Sequence, residues 1–99
     1  MGNGEYASKA KSLVNQGDRK LLSFGWFGNK YEDAAELFER GANQYKLAKM
    51  WKEAGETYEK LADVNMKLDS KHDSASSWVE AAKAYQKADE KQKSRLHCL

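Results

Sequence analysis

The chain has 99 residues, 32% of them charged, and its formal net charge is only +2. A balance this even argues against a dedicated nucleic-acid-binding protein, which carries a clear basic surplus on one face. The single cysteine, Cys98, excludes an internal disulfide and favours a reducing cytoplasmic compartment. No stretch reaches the length of a membrane span, and an alanine-, lysine- and glutamate-rich sequence without proline predicts one small helical domain.

The first predicted helix covers about residues 3 to 22, and an aromatic loop follows it. Small and apolar side chains recur along the helix at three- and four-residue steps, although Gly17 costs it about 1 kcal/mol relative to alanine. The loop, SFGWFGN at 23–29, carries Phe24, Trp26 and Phe27 beside glycines. Such a tip packs poorly, so the rings are expected to be exposed; the alternative is that one or two of them fold back on the first helix pair.

The second, third and fourth helices are predicted at about residues 30 to 47, 50 to 68 and 71 to 87. The start of a fifth helix is predicted at about residues 90 to 99. Asn29 and Glu32 have the spacing of a capping box, in which each side chain satisfies a backbone N–H of the other residue. Similar spacings precede the last two helices, at the pairs Ser70 and Asp73, and Asp89 and Gln92. Because the last helix barely begins, the chain is predicted to be the N-terminal part of a longer protein.

The predicted helices repeat one another. A shift of 40 residues places the second helix on the fourth and superposes Asp33 on Asp73, Ala35 on Ala75, Phe38 on Trp78, Ala42 on Ala82 and Tyr45 on Tyr85. The third helix fits at half that offset, and its WKEAGETY matches a tetratricopeptide signature except that Ala54 replaces leucine. We therefore predict an all-α, tetratricopeptide-like, right-handed superhelical stack of antiparallel helix pairs. Its core is predicted to hold the aromatic side chains of Tyr45, Trp51, Tyr58 and Trp78.

The order of these features resembles that of the soluble NSF attachment proteins, which are adaptors of membrane fusion. The most specific parts are AAELFERGANQYKLAKMWKEAG and LDSKHDSASSWVEAAKAYQKAD, because ordinary tetratricopeptide repeats share neither YKLAK-x-W nor SKHD. The resemblance covers essentially the whole sequence and is closer to the alpha type of the family than to the gamma type. It implies that these residues correspond to the N-terminal part of such an adaptor.

The resemblance implies a membrane role for the aromatic loop. In the family, the loop between the first two helices touches the lipid bilayer, so the implied membrane contacts here are Phe24, Trp26 and Phe27, with Leu22 as a weaker fourth. Fully burying one such side chain is worth about 2 kcal/mol. The nearby cations of Arg19, Lys20 and Lys30 would each add about 1 kcal/mol on an anionic surface. The expected attachment is weak and reversible, and the implied localisation is cytoplasmic and peripheral on membranes.

The resemblance also implies two protein partners, the acidic four-helix SNARE bundle and the ATPase NSF. The lysines near helix ends that could touch the bundle are Lys46, Lys49, Lys83 and Lys87, with Lys67 and Lys71 also available. A solvated role at a helix end is the stronger explanation for most of them, because the helix dipole favours lysine there. The family's acidic region that recruits NSF for SNARE disassembly lies beyond residue 99.

No residues suggest catalysis, a cofactor or a metal site. His72 and His97 have no second ligand at metal spacing, and Cys98 has no base beside it, so we predict a protein that is not an enzyme. The alternative function is a generic tetratricopeptide-like scaffold that binds a peptide in its groove and makes no membrane contact. The aromatic loop distinguishes the two functions, because a peptide scaffold has no use for exposed rings at one end.

Overall fold

The computed structural model describes residues 3–23 and 29–97. These residues form α1 (Asn3–Leu22), α2 (Lys30–Leu47), α3 (Trp51–Lys67) and α4 (Lys71–His97), and no strand occurs among them. Each helix packs against the next one in the chain. The predicted all-α stack of helix pairs is therefore confirmed, and the first three helices end within one residue of their predicted limits.

The core lies where the successive helices meet. Phe38 of α2 is completely buried at its centre, together with alanines that allow close packing and larger side chains from α3: Ala34, Ala42, Tyr58, Leu61, Val64 and Ala81. Gly17 has a packing role that its helix propensity does not reveal, because a Cβ atom there would lie 2.6 Å from Cε1 of Phe38. The glycine lets the Phe38 ring reach the backbone of α1.

Two turns of the stack have the same backbone structure. In the α2–α3 turn, the N–H of Lys49 donates to the carbonyl of Lys46, and the N–H of Met50 donates to that of Tyr45, both at 2.9 Å. The α3–α4 turn repeats these bonds 20 residues later, through Asp69 and Ser70. Lys49 and Asp69 both adopt the left-handed conformation, with φ of 60°. The half-offset of 20 residues is thus confirmed, and each turn forms a Schellman motif without the usual glycine.

The predicted break between a fourth and a fifth helix is wrong. α4 continues without interruption from Lys71 to His97. The residues around the predicted break, Lys87 to Glu90, include neither glycine nor proline, so nothing forces the helix to end. Asp89 and Gln92 have the spacing of a cap, but a cap residue must leave the helical conformation.

The prediction that Trp78 is a core residue is also wrong, whereas Tyr58 is buried as predicted and Tyr45 and Trp51 are half-buried. Trp78 is 47% exposed. The buried stripe of α4 consists instead of Ser74, Ser77, Ala81 and Ala84. The shift of 40 residues fails here because α2 packs between α1 and α3, whereas α4 packs mainly on α3 among the described helices.

Hydrogen bonds explain why two serines are buried in place of the tryptophan. Ser74 Oγ donates to the carbonyl of Ala62 at 3.0 Å, which links α4 to α3. Ser77 Oγ donates to the carbonyl of Asp73 at 2.9 Å and accepts from Nδ2 of Asn65 at 3.3 Å. Buried hydroxyl groups are tolerated when they are hydrogen-bonded, so a polar stripe can face a core.

Candidate functional site

The helix ends that flank the aromatic loop are tied to each other. At the end of α1, Ser23 donates to the carbonyl of Lys20 through its N–H at 3.2 Å and its Oγ at 2.7 Å. Lys30 Nζ reaches across from α2 and donates to the carbonyl of Leu21 at 3.3 Å. Lys20 Nζ lies 3.7 Å from a carboxylate oxygen of Asp33. These bonds fix where the chain leaves α1 and where it enters α2.

The start of α2 has the Asn29 half of the predicted capping box. Asn29 Oδ1 accepts from the N–H of Tyr31 at 3.0 Å and of Glu32 at 3.3 Å. The N–H of Asp33 donates to the carbonyl of Asn29 at 3.1 Å, which closes the first helical turn. The aromatic loop therefore ends at a residue that is committed to the helix.

Three of the four predicted membrane contacts, Phe24, Trp26 and Phe27, lie outside the described residues. The fourth, Leu22, is the last residue of α1 and is 80% exposed. Of the cations expected to assist it, Arg19 and Lys20 are exposed. Lys30 is half-buried, because its ammonium group bonds to α1 and lies 5.4 Å from the centre of the Tyr31 ring. The Lys30 ammonium group therefore contributes to the contact between α1 and α2.

The tertiary structure brings the four predicted SNARE-contact lysines together around Trp51. Three of them line one surface depression of about 410 Å³, on which Trp51 also lies: Lys46, Lys83 and Lys87. The fourth, Lys49, borders an adjoining depression that shares Trp51. We call this set, Lys46, Lys49, Trp51, Lys83 and Lys87, the Trp51 patch. It forms because the end of α2, the start of α3 and the second half of α4 meet there.

The Trp51 patch is basic but partly neutralised. Glu80 of α4 lies between two of its cations, with carboxylate oxygens 3.7 Å from Lys46 Nζ and 3.3 Å from Lys83 Nζ. Lys87 Nζ lies 5.6 Å from the centre of a Trp51 ring, which is within the range of a cation–π interaction. The two depressions together are lined by six lysines and four acids, which leaves an excess of two positive charges. The patch can attract an acidic surface and offers an aromatic face beside it.

Sequence reasoning missed two members of this arrangement. The repeat predicts Trp51 as a core residue, yet it is half-buried and lines the depression together with the lysines. Glu80 was not singled out; its three-residue spacing to Lys83 was a readable signal of an ion pair on one helix. Its approach to Lys46, 34 positions earlier, had no signal in the sequence, because it depends on how α4 lies beside α2.

The titratable groups outside the Trp51 patch include three tyrosines, two histidines and one cysteine that bear on catalysis or metal binding. Burial raises the pKa of Tyr45, Tyr58 and Tyr85, and the neighbouring Glu59 raises that of Tyr85 further. His72 is exposed, and within residues 3–23 and 29–97 no group of His, Cys, Asp and Glu side chains is arranged to hold a metal ion. Cys98 and the His97 side chain lie outside the described part.

The length and apolar character of the described helices decide whether one of them could span a membrane. None of them combines the length and the apolar character that a bilayer crossing requires.

Comparison with known proteins places these features in one family. The family described as "Soluble NSF attachment protein, SNAP" matches residues 8–98. The alpha-soluble NSF attachment proteins of Homo sapiens and Mus musculus are each 37% identical over 106 residues, which cover 100% of this chain and 35% of the relative. A protein of the same name from Vitis vinifera is 42% identical over 50 residues, 50% of this chain and 17% of the relative. No solved structure matches. The chain thus spans about a third of the length of its mammalian relatives.

Proposed function

Because the chain belongs to the soluble NSF attachment protein family, we propose that it supplies the membrane and SNARE contacts of a fusion adaptor. In this proposal the Trp51 patch binds the acidic four-helix SNARE bundle, and the aromatic loop binds the bilayer. The resemblance implies that a full-length adaptor recruits NSF for SNARE disassembly through a region that these 99 residues do not include. The protein acts as a cytoplasmic adaptor that attaches peripherally to membranes, and it catalyses no reaction itself.

The convergence of four lysines on Trp51 is the observation that carries this proposal. The lysines come from α2, α4 and the turn before α3, so a surface formed only in the folded stack presents them together. Exposed ion pairs are worth about 0.2–1 kcal/mol each, and salt weakens them. Several such contacts along a carboxylate-rich rod would give a modest, salt-sensitive affinity.

The membrane contact raises that affinity by keeping the adaptor close to its partner. Each aromatic side chain that enters the bilayer surface contributes up to about 2 kcal/mol, and the exposed Leu22 continues the apolar surface at the end of α1. Two weak contacts made by one rigid body reinforce each other, because the second binding step becomes intramolecular. The tied ends of α1 and α2 support this role, since their hydrogen bonds fix the two points of the stack that the loop connects.

Binding to the assembled SNARE bundle tests the patch. We expect the triple change Lys46→Gln, Lys83→Gln and Lys87→Gln to weaken binding about tenfold at low salt, a loss of about 0.5 kcal/mol for each lysine. The matched control removes three exposed lysines elsewhere: Lys9, Lys11 and Lys60. Equal losses in both variants would show non-specific attraction and would contradict the patch.

Flotation with liposomes tests the loop. The parent chain should float with anionic vesicles, and the triple change of Phe24, Trp26 and Phe27 to serine should abolish flotation while helical circular dichroism is unchanged. The single change Leu22→Ser should weaken flotation slightly. If the parent does not float, or if the serine variant floats equally well, the aromatics serve the fold or a protein partner. The peptide-binding scaffold would then be the better proposal.

A further inference from the structure

Glu80 is paired with two lysines of the Trp51 patch in the unbound chain. Its carboxylate oxygens lie 3.7 Å from Lys46 Nζ on α2 and 3.3 Å from Lys83 Nζ, one turn further along α4. The side chain of Glu80 is 36% exposed, and those of Lys46 and Lys83 are 41% and 69% exposed. The three groups meet at the surface, so a carboxylate from another molecule can reach the same two ammonium groups.

The two lysines do not depend on Glu80 for their positions. Lys46 Nζ also lies 5.8 Å from the centre of the Tyr58 ring, within the range of a cation–π interaction. Tyr58 is buried, and its hydroxyl donates to Oδ1 of Asn43 at 3.2 Å, so this ring is held in place. Lys83 lies on the same helix as Glu80, and the helix backbone fixes where its side chain starts. Removal of the Glu80 charge should therefore free both cations without moving them away from the patch.

Glu80 opposes an acidic partner in two ways. A partner carboxylate that pairs with Lys46 or Lys83 replaces an ion pair that the chain already has, so the exchange gains little. The same carboxylate also approaches the negative charge of Glu80, and like charges repel more strongly beside a protein surface than in bulk water. Among the described residues, the ion pairs of the patch lysines all involve Glu80, which makes it the acid that a partner must displace.

We propose that Glu80 is an intramolecular competitor that limits the affinity of the Trp51 patch for a carboxylate-rich partner. In the unbound chain it occupies Lys46 and Lys83, and on binding the partner's carboxylates take its place. The result is a patch that recognises an acidic surface and still releases it readily. This inference rests on the proposed function, because it concerns the acidic partner of the same patch.

Glu80→Gln tests the competition with two acidic ligands, a short oligoglutamate peptide and the assembled SNARE bundle. The variant should bind both about fivefold more tightly than the parent at low salt, because two further cations become free. Its affinity should also fall more steeply as salt is added, because more of the attraction is then open to screening.

Asp63→Asn is the matched control for this change. It removes an equal charge from an exposed position on α3 that borders neither depression of the patch. This variant should bind both ligands within about twofold of the parent, because exposed charges far from a contact are screened. Equal gains in Asp63→Asn and Glu80→Gln would show an effect of net charge alone and would overturn the proposal.

A double-mutant cycle distinguishes competition from general repulsion. In a chain that carries Lys46→Gln and Lys83→Gln, the further change Glu80→Gln should alter the affinity by less than about twofold, because the cations that it would free are gone. A full gain in that background, or no gain from Glu80→Gln alone, would overturn the proposal. The proposed function fails separately. If the triple lysine change leaves binding of the SNARE bundle unaltered while Glu80→Gln still strengthens binding of oligoglutamate, the SNARE assignment is wrong and the competition at the patch is confirmed.

Discussion

The ring of Phe38 lies against the backbone of α1 at Gly17, so closely that a Cβ atom there would be 2.6 Å from Cε1 and 2.9 Å from Cδ1 of the ring. Between α3 and α4 the same relationship joins Tyr85 to Gly55, with a distance of 2.8 Å to Cε1. In both pairs an aromatic ring occupies the space that a glycine leaves on the preceding helix. Close ring-on-glycine contacts thus join α1 to α2 and α3 to α4.

Gly17→Ala should destabilise the protein although alanine favours the helix. The added methyl group must displace a ring that is completely buried, and overpacking of this kind costs about 1–3 kcal/mol. The gain in helix propensity recovers about 1 kcal/mol. We expect a net loss of up to about 2 kcal/mol in the free energy of unfolding, measured by urea denaturation.

Gly4→Ala is the matched control for this change. Gly4 lies on the same helix, and nothing comes within 4 Å of the position of its Cβ atom. Alanine there should be neutral or slightly stabilising. If both alanine variants were equally stable, the contact between Phe38 and Gly17 would not limit the packing of α1 on α2.

Asp69→Gly should stabilise the protein. Asp69 has a φ of 60° in the turn before α4, where an L-residue is strained and glycine is not. A gain of about 0.5–1 kcal/mol is expected, seen as a rise in the melting temperature of a few degrees.

Lys49→Gly should stabilise it at least as much, because lysine tolerates the left-handed conformation less well than aspartate. The two turns do not share a hydrogen bond, so the gains should add in the double variant. A loss of stability in either single variant would show that the side chain contributes more than its backbone strain costs.

Removing the cap at Asn29 should loosen the start of α2. Asn29→Ala leaves the N–H groups of Tyr31 and Glu32 without the acceptor that they have now, and we expect a loss of about 1 kcal/mol by thermal unfolding. Asn29→Asp keeps an acceptor oxygen and adds a negative charge at the positive end of the helix, so it should retain the parent stability. Equal stability of all three proteins would refute the role of the cap.

The protein should lose stability above about pH 10, the ordinary pKa of tyrosine. Burial raises the folded-state pKa of Tyr45, Tyr58 and Tyr85 above that of the unfolded chain. The unfolded state therefore releases its phenolic protons first, and the stability that is present below pH 10 falls as the pH rises toward the folded-state pKa values.

Tyr85→Phe isolates this effect, because it keeps the ring that lies on Gly55 and removes the phenol. The slope of unfolding free energy against pH above about pH 10 should become shallower than in the parent. Tyr6→Phe, an exposed change on α1, controls for the loss of a tyrosine. An unchanged slope in Tyr85→Phe would contradict the contribution of this residue.

The sequence alone determined the helices, their starts and the repeat, because those features depend on neighbours along the chain. The Asn29 cap, the limits of the first three helices and the half-offset of 20 residues all follow from side chains within a few positions of each other. The match to one family followed from the same local sequence patterns.

Which face of α4 is buried and which lysines meet depend on the tertiary structure. Trp78 occupies a repeat position but is exposed, because burial depends on the presence of a neighbouring helix rather than on hydrophobicity. Ser74 and Ser77 look polar in the sequence, yet hydrogen bonds allow them to face the core. The Trp51 patch combines residues as distant as Lys46 and Lys87, and their proximity results from the packing of three helices, which no local pattern encodes.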